Sequence, residues 1–200
     1  MAAERAWNRG AALGLIASAL LLFSSPAGAL EMKVRTAEGF DPGSIRRAAF
    51  LPFVRSPYVE EGGRGVCPVG GEAVDGCPVG EAAESELSRE LGRALLSASG
   101  PVSWVGQAEL NDARARLKAE GRLELTDYGP WQLAIGREVK ADAVLFGFIY
   151  CYRDRSGSAF ASQTAAAIAF CLHLVDPKTG EILWSLRYQD EQRPLFENLL

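Results

Sequence analysis

The side chains here best suited to chemistry are four cysteines, Cys67, Cys77, Cys151 and Cys171, and a single histidine, His173. A nucleophile and its base must sit about 3 Å apart. Cys171 and His173 are two positions apart on what reads as one strand, which sets them about 6 to 7 Å apart along it. They do not form a poised pair, and His173 reads as a histidine on the surface of a sheet. Zinc favours four ligands with a short Cys-Cys knuckle. No two cysteines have that spacing, and no C-x-x-C redox motif is present, so neither a metal site nor a cofactor is expected. Asp127, Asp142, Asp154 and Asp190 fall at element ends, where turn and cap roles account for them. Gly62-Gly63-x-Gly65 lacks the Lys-Ser/Thr pair of a phosphate loop.

The cysteines instead suggest cross-links. Cys67 and Cys77 each open a Cys-Pro-Val-Gly copy and bracket a flexible stretch, so a disulfide between them is expected, worth roughly 2.5 to 3 kcal/mol for a loop of about ten residues. Cys151 and Cys171 lie on strands expected to be neighbours, where either a bridge or two small buried side chains fits. A different chemistry is concentrated in Tyr150, Tyr152, Arg153 and Arg155. Aromatic and guanidinium groups at a strand end, beside a Ser/Gly/Ala loop at 156–164, have the composition of a protein-recognition surface.

Elements must position these groups, and composition limits which. The chain has 200 residues, is 48% hydrophobic and 23% charged, and carries a net charge of −4. That is one ordinary domain plus tails, without the basic field that nucleic-acid binding needs. Residues 1–29 read as a signal peptide: Arg5 and Arg9, an apolar segment at 11–23 too short to span a bilayer, and the small-x-small cleavage site Ala27-Gly28-Ala29. Cleavage after Ala29 would leave no stable membrane insertion, and no acylatable cysteine follows it. The exported chain would then meet an oxidising compartment.

Residues 30–45 read as an extended arm, and 46–200 as a single α/β domain with a Cys/Gly-rich insertion at 56–80. The run at 48–53 is a buried strand ending near Pro52. Helices are expected over 81–97, where Ala83, Leu87, Leu91 and Leu95 share a face, over 107–120, and from Pro130, burying Trp131, Ile135 and Val139. Residues 143–152 form a central strand covered on both faces. Residues 165–175 and 181–190 form a hairpin around Asp176 to Gly180, pairing Leu174 with Ile182, Leu172 with Trp184 and Phe170 with Leu186. Phe196 to Leu200 reads as the first turn of a further helix. The expected architecture is a two-layer sandwich, a mixed sheet of four to five strands with three helices mainly on one face.

Residues 133–149 carry Gly136, Ala141, Asp142, Val144, Leu145 and Gly147 in the pattern a-x-x-G-x-x-x-x-A-D-x-V-L-x-G, with Leu51 to Phe53 before it and Asp176 to Trp184 after it. This resembles the helix-to-strand junction of the TolB amino-terminal domain and of CsgG-like assembly lipoproteins, and the likeness extends to exported bacterial envelope proteins of unknown function. The resemblance implies a TolB-like fold and an envelope role without catalysis. The resulting expectation is a non-enzymatic periplasmic or secreted module that binds another envelope protein, the alternative being a soluble carrier of a small apolar ligand.

Overall fold

An apolar run with no polar face must be covered on both sides, and the longest such run among the described residues, 143–152, is the middle of the sheet. The computed structural model describes residues 30–57, 59, 63–98, 100–123, 130–157 and 162–192. The first strands are β1 (Glu31–Thr36), β2 (Arg47–Phe50) and β3 (Val54–Arg55), followed by a small hairpin of β4 (Arg64–Val66) and β5 (Ala73–Asp75). Helix α1 (Ala83–Ser97), β6 (Ser103–Trp104), helices α2 (Gln107–Ala119) and α3 (Pro130–Glu138), and β7 (Ala143–Arg153) come next. A two-strand pair, β8 (Ser156–Gly157) with β9 (Ser162–Thr164), precedes β10 (Ala167–Val175) and β11 (Ile182–Glu191). The main sheet runs β1-β11-β10-β7-β2-β6, and β3 continues beside β7 where β2 stops. Along β1, β11, β10 and β7 each strand is antiparallel to its neighbour, whereas β2 is parallel to both β7 and β6.

The α/β class, the three helices and the mixed sheet agree with the sequence, but the sheet has seven strands rather than four or five. Two come from segments whose pairing the sequence does not advertise. The arm at 31–36 is an edge strand zipped along β11 from Glu31 opposite Gln189 to Thr36 opposite Trp184. Pro52, which has no N–H to give, splits the early strand, and the chain resumes as β3 three residues further along β7, Phe50 facing Leu145 and Val54 facing Phe148.

Helices cover both faces, not mainly one. Alternation along β7 sends Ala143, Leu145 and Ile149 into a core with Leu95 of α1, and Val144, Phe146 and Phe148 into another with Leu110 and Leu117 of α2 and Ile135 of α3. The hairpin closes as expected around Asp176, whose side chain accepts from the Lys178 N–H at 2.7 Å, with Gly180 at φ 79°. Its register is two residues from the expected one: Leu174 faces Trp184, Leu172 faces Leu186 and Phe170 faces Tyr188, with a bulge at Leu174/Val175. A shift of two preserves every side chain's face, so the hydrophobic pattern did not distinguish these pairings.

The resemblance motif is a packing device. A Cβ on Gly136 would lie 2.9 Å from Pro177 and run into Val144, while one on Gly147 would sit 2.6 Å from the Cys171 carbonyl. Asp142 accepts from the Arg46 and Arg47 N–H groups at 3.0 and 2.9 Å, fixing the start of β2 against β7. The signal peptide, the cleavage residues Ala27 and Ala29, and the turn at 196–200 lie outside the described residues. No described helix is long and apolar enough to cross a membrane.

Candidate functional site

Residues 63–80 of the insertion fold into a cover. β4 and β5 lie over the outer half of one sheet face: the Arg187 guanidinium donates to the Ala73 carbonyl at 2.5 Å, Gln189 to Asp75 at 2.9 Å, and Arg35 to Glu72 at 2.9 Å. Past β5 the chain runs beside the far end of β7, with the Cys77 N–H donating to the Tyr150 carbonyl and the Gly80 N–H to the Tyr152 carbonyl, both at 3.1 Å. That pairing sets Cys77 against Cys151, and the two form a disulfide with their Cα atoms 4.5 Å apart.

The expected Cys67–Cys77 bridge is therefore corrected. The β4–β5 pairing continues as the Cys67 N–H donating to the Glu72 carbonyl, so Cys67 stands at the turn of the hairpin. Cys77 lies beyond its open end, about five residues further along an extended chain, or roughly 15 Å away, well outside disulfide reach. Nor do Cys151 and Cys171 pair: Cys151 is opposite Ala169, two residues before Cys171.

Under the hairpin turn the fold assembles a buried cluster. Cys67 and Cys171 are free thiols and both are buried. The Cys67 Sγ lies 3.0 Å from His173 Nε2 and accepts from the Gly70 N–H at 3.4 Å. The donor atoms of Cys67, Cys171 and His173 all lie within 4.8 Å of one another. His173 is 1% exposed, not on the surface, because its strand face is the one the hairpin covers. Phe146 and Phe148 flank its ring, with centroids 6.1 and 6.5 Å away. The Tyr150 hydroxyl faces both thiols without a well-formed hydrogen bond, and His173 Nδ1 and Glu72 Oε2 are likewise buried without a partner.

The electrostatics of the cluster are asymmetric. The hydrogen bond from Cys171, together with the hydrogen bond and charge of His173, holds the Cys67 thiol down to about 3 despite burial. Cys171, as the partner in that hydrogen bond and itself buried, is pushed well above the ordinary thiol range. Burial, with the adjacent sulfurs, pushes the Tyr150 phenol up as well. One thiol is thus biased toward its thiolate and the other toward its neutral form, and both are shielded from solvent. We expect iodoacetamide to label neither Cys67 nor Cys171 in the folded chain and both once it is unfolded, read by intact mass; rapid labelling of the native protein would contradict the burial.

The strand-end group is only partly a surface. Tyr150 is 0% exposed and its ring belongs to the core, which removes it from any interface. Tyr152 is half-buried, with its hydroxyl donating to Glu86 at 2.7 Å; burial and that carboxylate push the phenol up to about 12. Arg153 donates to the Ala165 carbonyl at 2.9 Å and pairs with Glu191 at 3.0 Å, and Arg155 is exposed.

Two clefts open on the helical side. One of about 500 Å³ lies between α1, β6 and the start of α2, lined by Phe50, Leu95, Leu96, Trp104 and Leu110 with Arg93 at its rim. Another, of about 280 Å³, is bordered by Leu51, Arg114 and Trp131.

No family model matches this chain, and no curated protein matches it. Among solved structures it is similar to the LpoB C-terminal domain from Salmonella enterica, at 19% identity over 92% of this chain and 98% of that one, with a TM-score of 0.49. It is also similar to the PelC dodecamer from Paraburkholderia phytofirmans, at 12% identity over 86% and 89% of the two chains, with a TM-score of 0.43. Lipoprotein GNA1162 from Neisseria meningitidis is 15% identical over 72% of this chain and 83% of its own, with a TM-score of 0.44.

Proposed function

We propose that the chain is an exported, non-enzymatic module of the bacterial cell envelope that binds another envelope protein through the β1 end of its sheet. The observation that carries this reading is the edge strand itself. All six residues of β1 are exposed, and on one of its faces Met32 and Val34 remain 44% and 46% exposed, extended by Leu30 at 52%. Among the described residues, nothing pairs with the outer edge of β1. An edge strand with one exposed apolar face and a free row of N–H and C=O groups has the geometry that adds a strand from a partner.

Export is supported by the composition of residues 1–29, and a periplasmic or secreted location agrees with the Cys77–Cys151 disulfide. The TolB-like and CsgG-like patterning of residues 133–149 supports an envelope role. A non-enzymatic role is supported by the burial of the thiol and imidazole pair, which no substrate can reach without unfolding the cover. Tyr152, Arg153 and Arg155 lie at the same end of the sheet as Glu31, since Arg153 is opposite Ala167, Ala167 opposite Glu191, and Glu31 opposite Gln189. They extend the proposed interface; Tyr150 does not.

Replacing Met32 and Val34 by Lys puts charge on the strand without touching the core, so stability should change by less than about 0.5 kcal/mol per site. The envelope partner recovered with the wild-type chain should be lost, and the combined Tyr152→Ala, Arg153→Ala and Arg155→Ala variant should weaken its recovery. Full recovery with the Lys pair would contradict the edge-strand reading. The 500 Å³ cleft favours the alternative of a carrier for a small apolar ligand; a lipophilic dye bound there should be released by Leu96→Arg.

A further inference from the structure

The buried cluster lies two strands in from β1, in the row where His173 faces Ser185 and Ser185 faces Arg35, and is covered rather than presented at the proposed edge. It gathers two thiols, an imidazole and a phenol from three places in the chain: Cys67 from the hairpin turn, Tyr150 from β7, and Cys171 and His173 from β10. Sequence distance conceals it, since 106 positions separate Cys67 from His173.

Four features describe a site for a cation more than a packed core. The donors of Cys67, Cys171 and His173 lie within 4.8 Å of one another, and tetrahedral zinc sets its sulfur and nitrogen ligands about 3.5 to 3.8 Å apart, so shifts of under an ångström close the set. The Tyr150 hydroxyl is fully buried, faces both sulfurs and lacks a well-formed hydrogen bond, which makes its oxygen available as a fourth donor. The Phe146 and Phe148 rings wall the imidazole, so an unbalanced charge here would carry the full cost of burial. Finally, a disulfide between the two free cysteines would consume the sulfurs and leave the imidazole and the phenol with nothing to bind.

We propose that Cys67, Cys171 and His173, with the Tyr150 oxygen completing the shell, form a structural Zn2+ site that locks the hairpin at 64–75 to the sheet. Two thiolates cancel the 2+ charge of the ion and leave the imidazole and phenol neutral, so the loaded site carries no net charge into the core. Cu+ in the same shell would leave one negative charge uncompensated. On loading, the protons still shared among the two sulfurs and the imidazole leave to solvent, so that both sulfurs bind as thiolates and the imidazole binds neutral. The insertion is then held at both ends, by zinc at Cys67 in the first Cys-Pro-Val-Gly copy and by the Cys151 disulfide at Cys77 in the second.

The test is metal analysis of the full exported chain purified without chelator or reductant, alongside its intact mass under denaturing conditions. The expected result is one zinc per chain and a mass two hydrogens below that of the fully reduced chain, from Cys77–Cys151 alone. Exchange into Co2+ should give a thiolate-to-cobalt charge-transfer band and intense tetrahedral visible bands. His173→Cys should retain the metal, His173→Phe should lose it while Cys77 and Cys151 remain linked, and Tyr150→Phe should weaken it about 10- to 100-fold. A mass four hydrogens lower with a peptide joining Cys67 to Cys171 would overturn the proposal. So would a chain with both thiols free that holds no zinc after dialysis against Zn2+, or full retention of zinc by His173→Phe.

Discussion

Replacing Cys77 and Cys151 together by Ala should lower stability by about 4 kcal/mol. The disulfide joins residues 74 apart, and in the chain-entropy account closing a loop of that length restricts the unfolded chain by roughly that amount. The loss is large against the 5 to 15 kcal/mol that holds a typical domain together. It also acts locally, because the bond fastens the end of the insertion to the far end of β7. Without it the cover should open more often, and Cys67 should become reactive to iodoacetamide in conditions where the rest of the sheet stays folded. Urea unfolding read by far-UV circular dichroism checks the first effect, and timed alkylation the second. A change below about 1 kcal/mol, with Cys67 still protected, would show that the bond is not what fastens the insertion.

The second large effect comes from adding a single methyl group. Gly147 lies mid-strand in β7, where a Cβ would stand 2.6 Å from the Cys171 carbonyl oxygen of the neighbouring strand and run into the Phe53 ring. The ring could turn, but the carbonyl belongs to the ladder and cannot. Gly147→Ala is therefore expected to cost about 3 kcal/mol, at the upper end for overpacking a core, and Gly147→Val to prevent folding. Gly92 supplies the opposite sign. It sits inside α1, where a Cβ would meet Phe50 at an ordinary 3.4 Å, so Gly92→Ala should stabilise by about 0.5 to 1 kcal/mol through helix propensity. Equal effects at the two glycines, read by thermal unfolding, would refute the packing described for Gly147.

Much of this fold was legible because its segments are strongly patterned. The period of four in α1, the Gly121 stop after α2, Pro130 at the start of α3, and the unbroken apolar run of β7 each state a local preference that the tertiary structure keeps. β1 was not legible, since Glu31 to Thr36 mixes charges with Met32 and Val34, and only the partner β11 makes it a strand. The cysteine pairing failed for a related reason. The Cys67–Cys77 expectation rests on a short, flexible loop in an oxidising compartment, while the actual partner is set by Cys77 lying alongside Tyr150 in a pairing that no local pattern encodes. His173 was read as exposed because the sequence showed which strand face it occupies but not that the insertion folds back over that face.

On the proposed reading, an envelope partner adds its own strand to the β1 edge of this sheet. The most direct measurement is in-cell photo-crosslinking from benzoylphenylalanine placed singly at Met32, Val34 and Arg35 along β1, at Arg153 and Arg155, and at Arg116 on α2 as a distant reference. The expected result is one adduct of a single new mass from Met32 and Val34, weaker at Arg153 and Arg155, absent at Arg116, and abolished for the Val34 probe when Met32 is replaced by Lys. An adduct of twice the chain's own mass, or yields along β1 no greater than at Arg116, would contradict it.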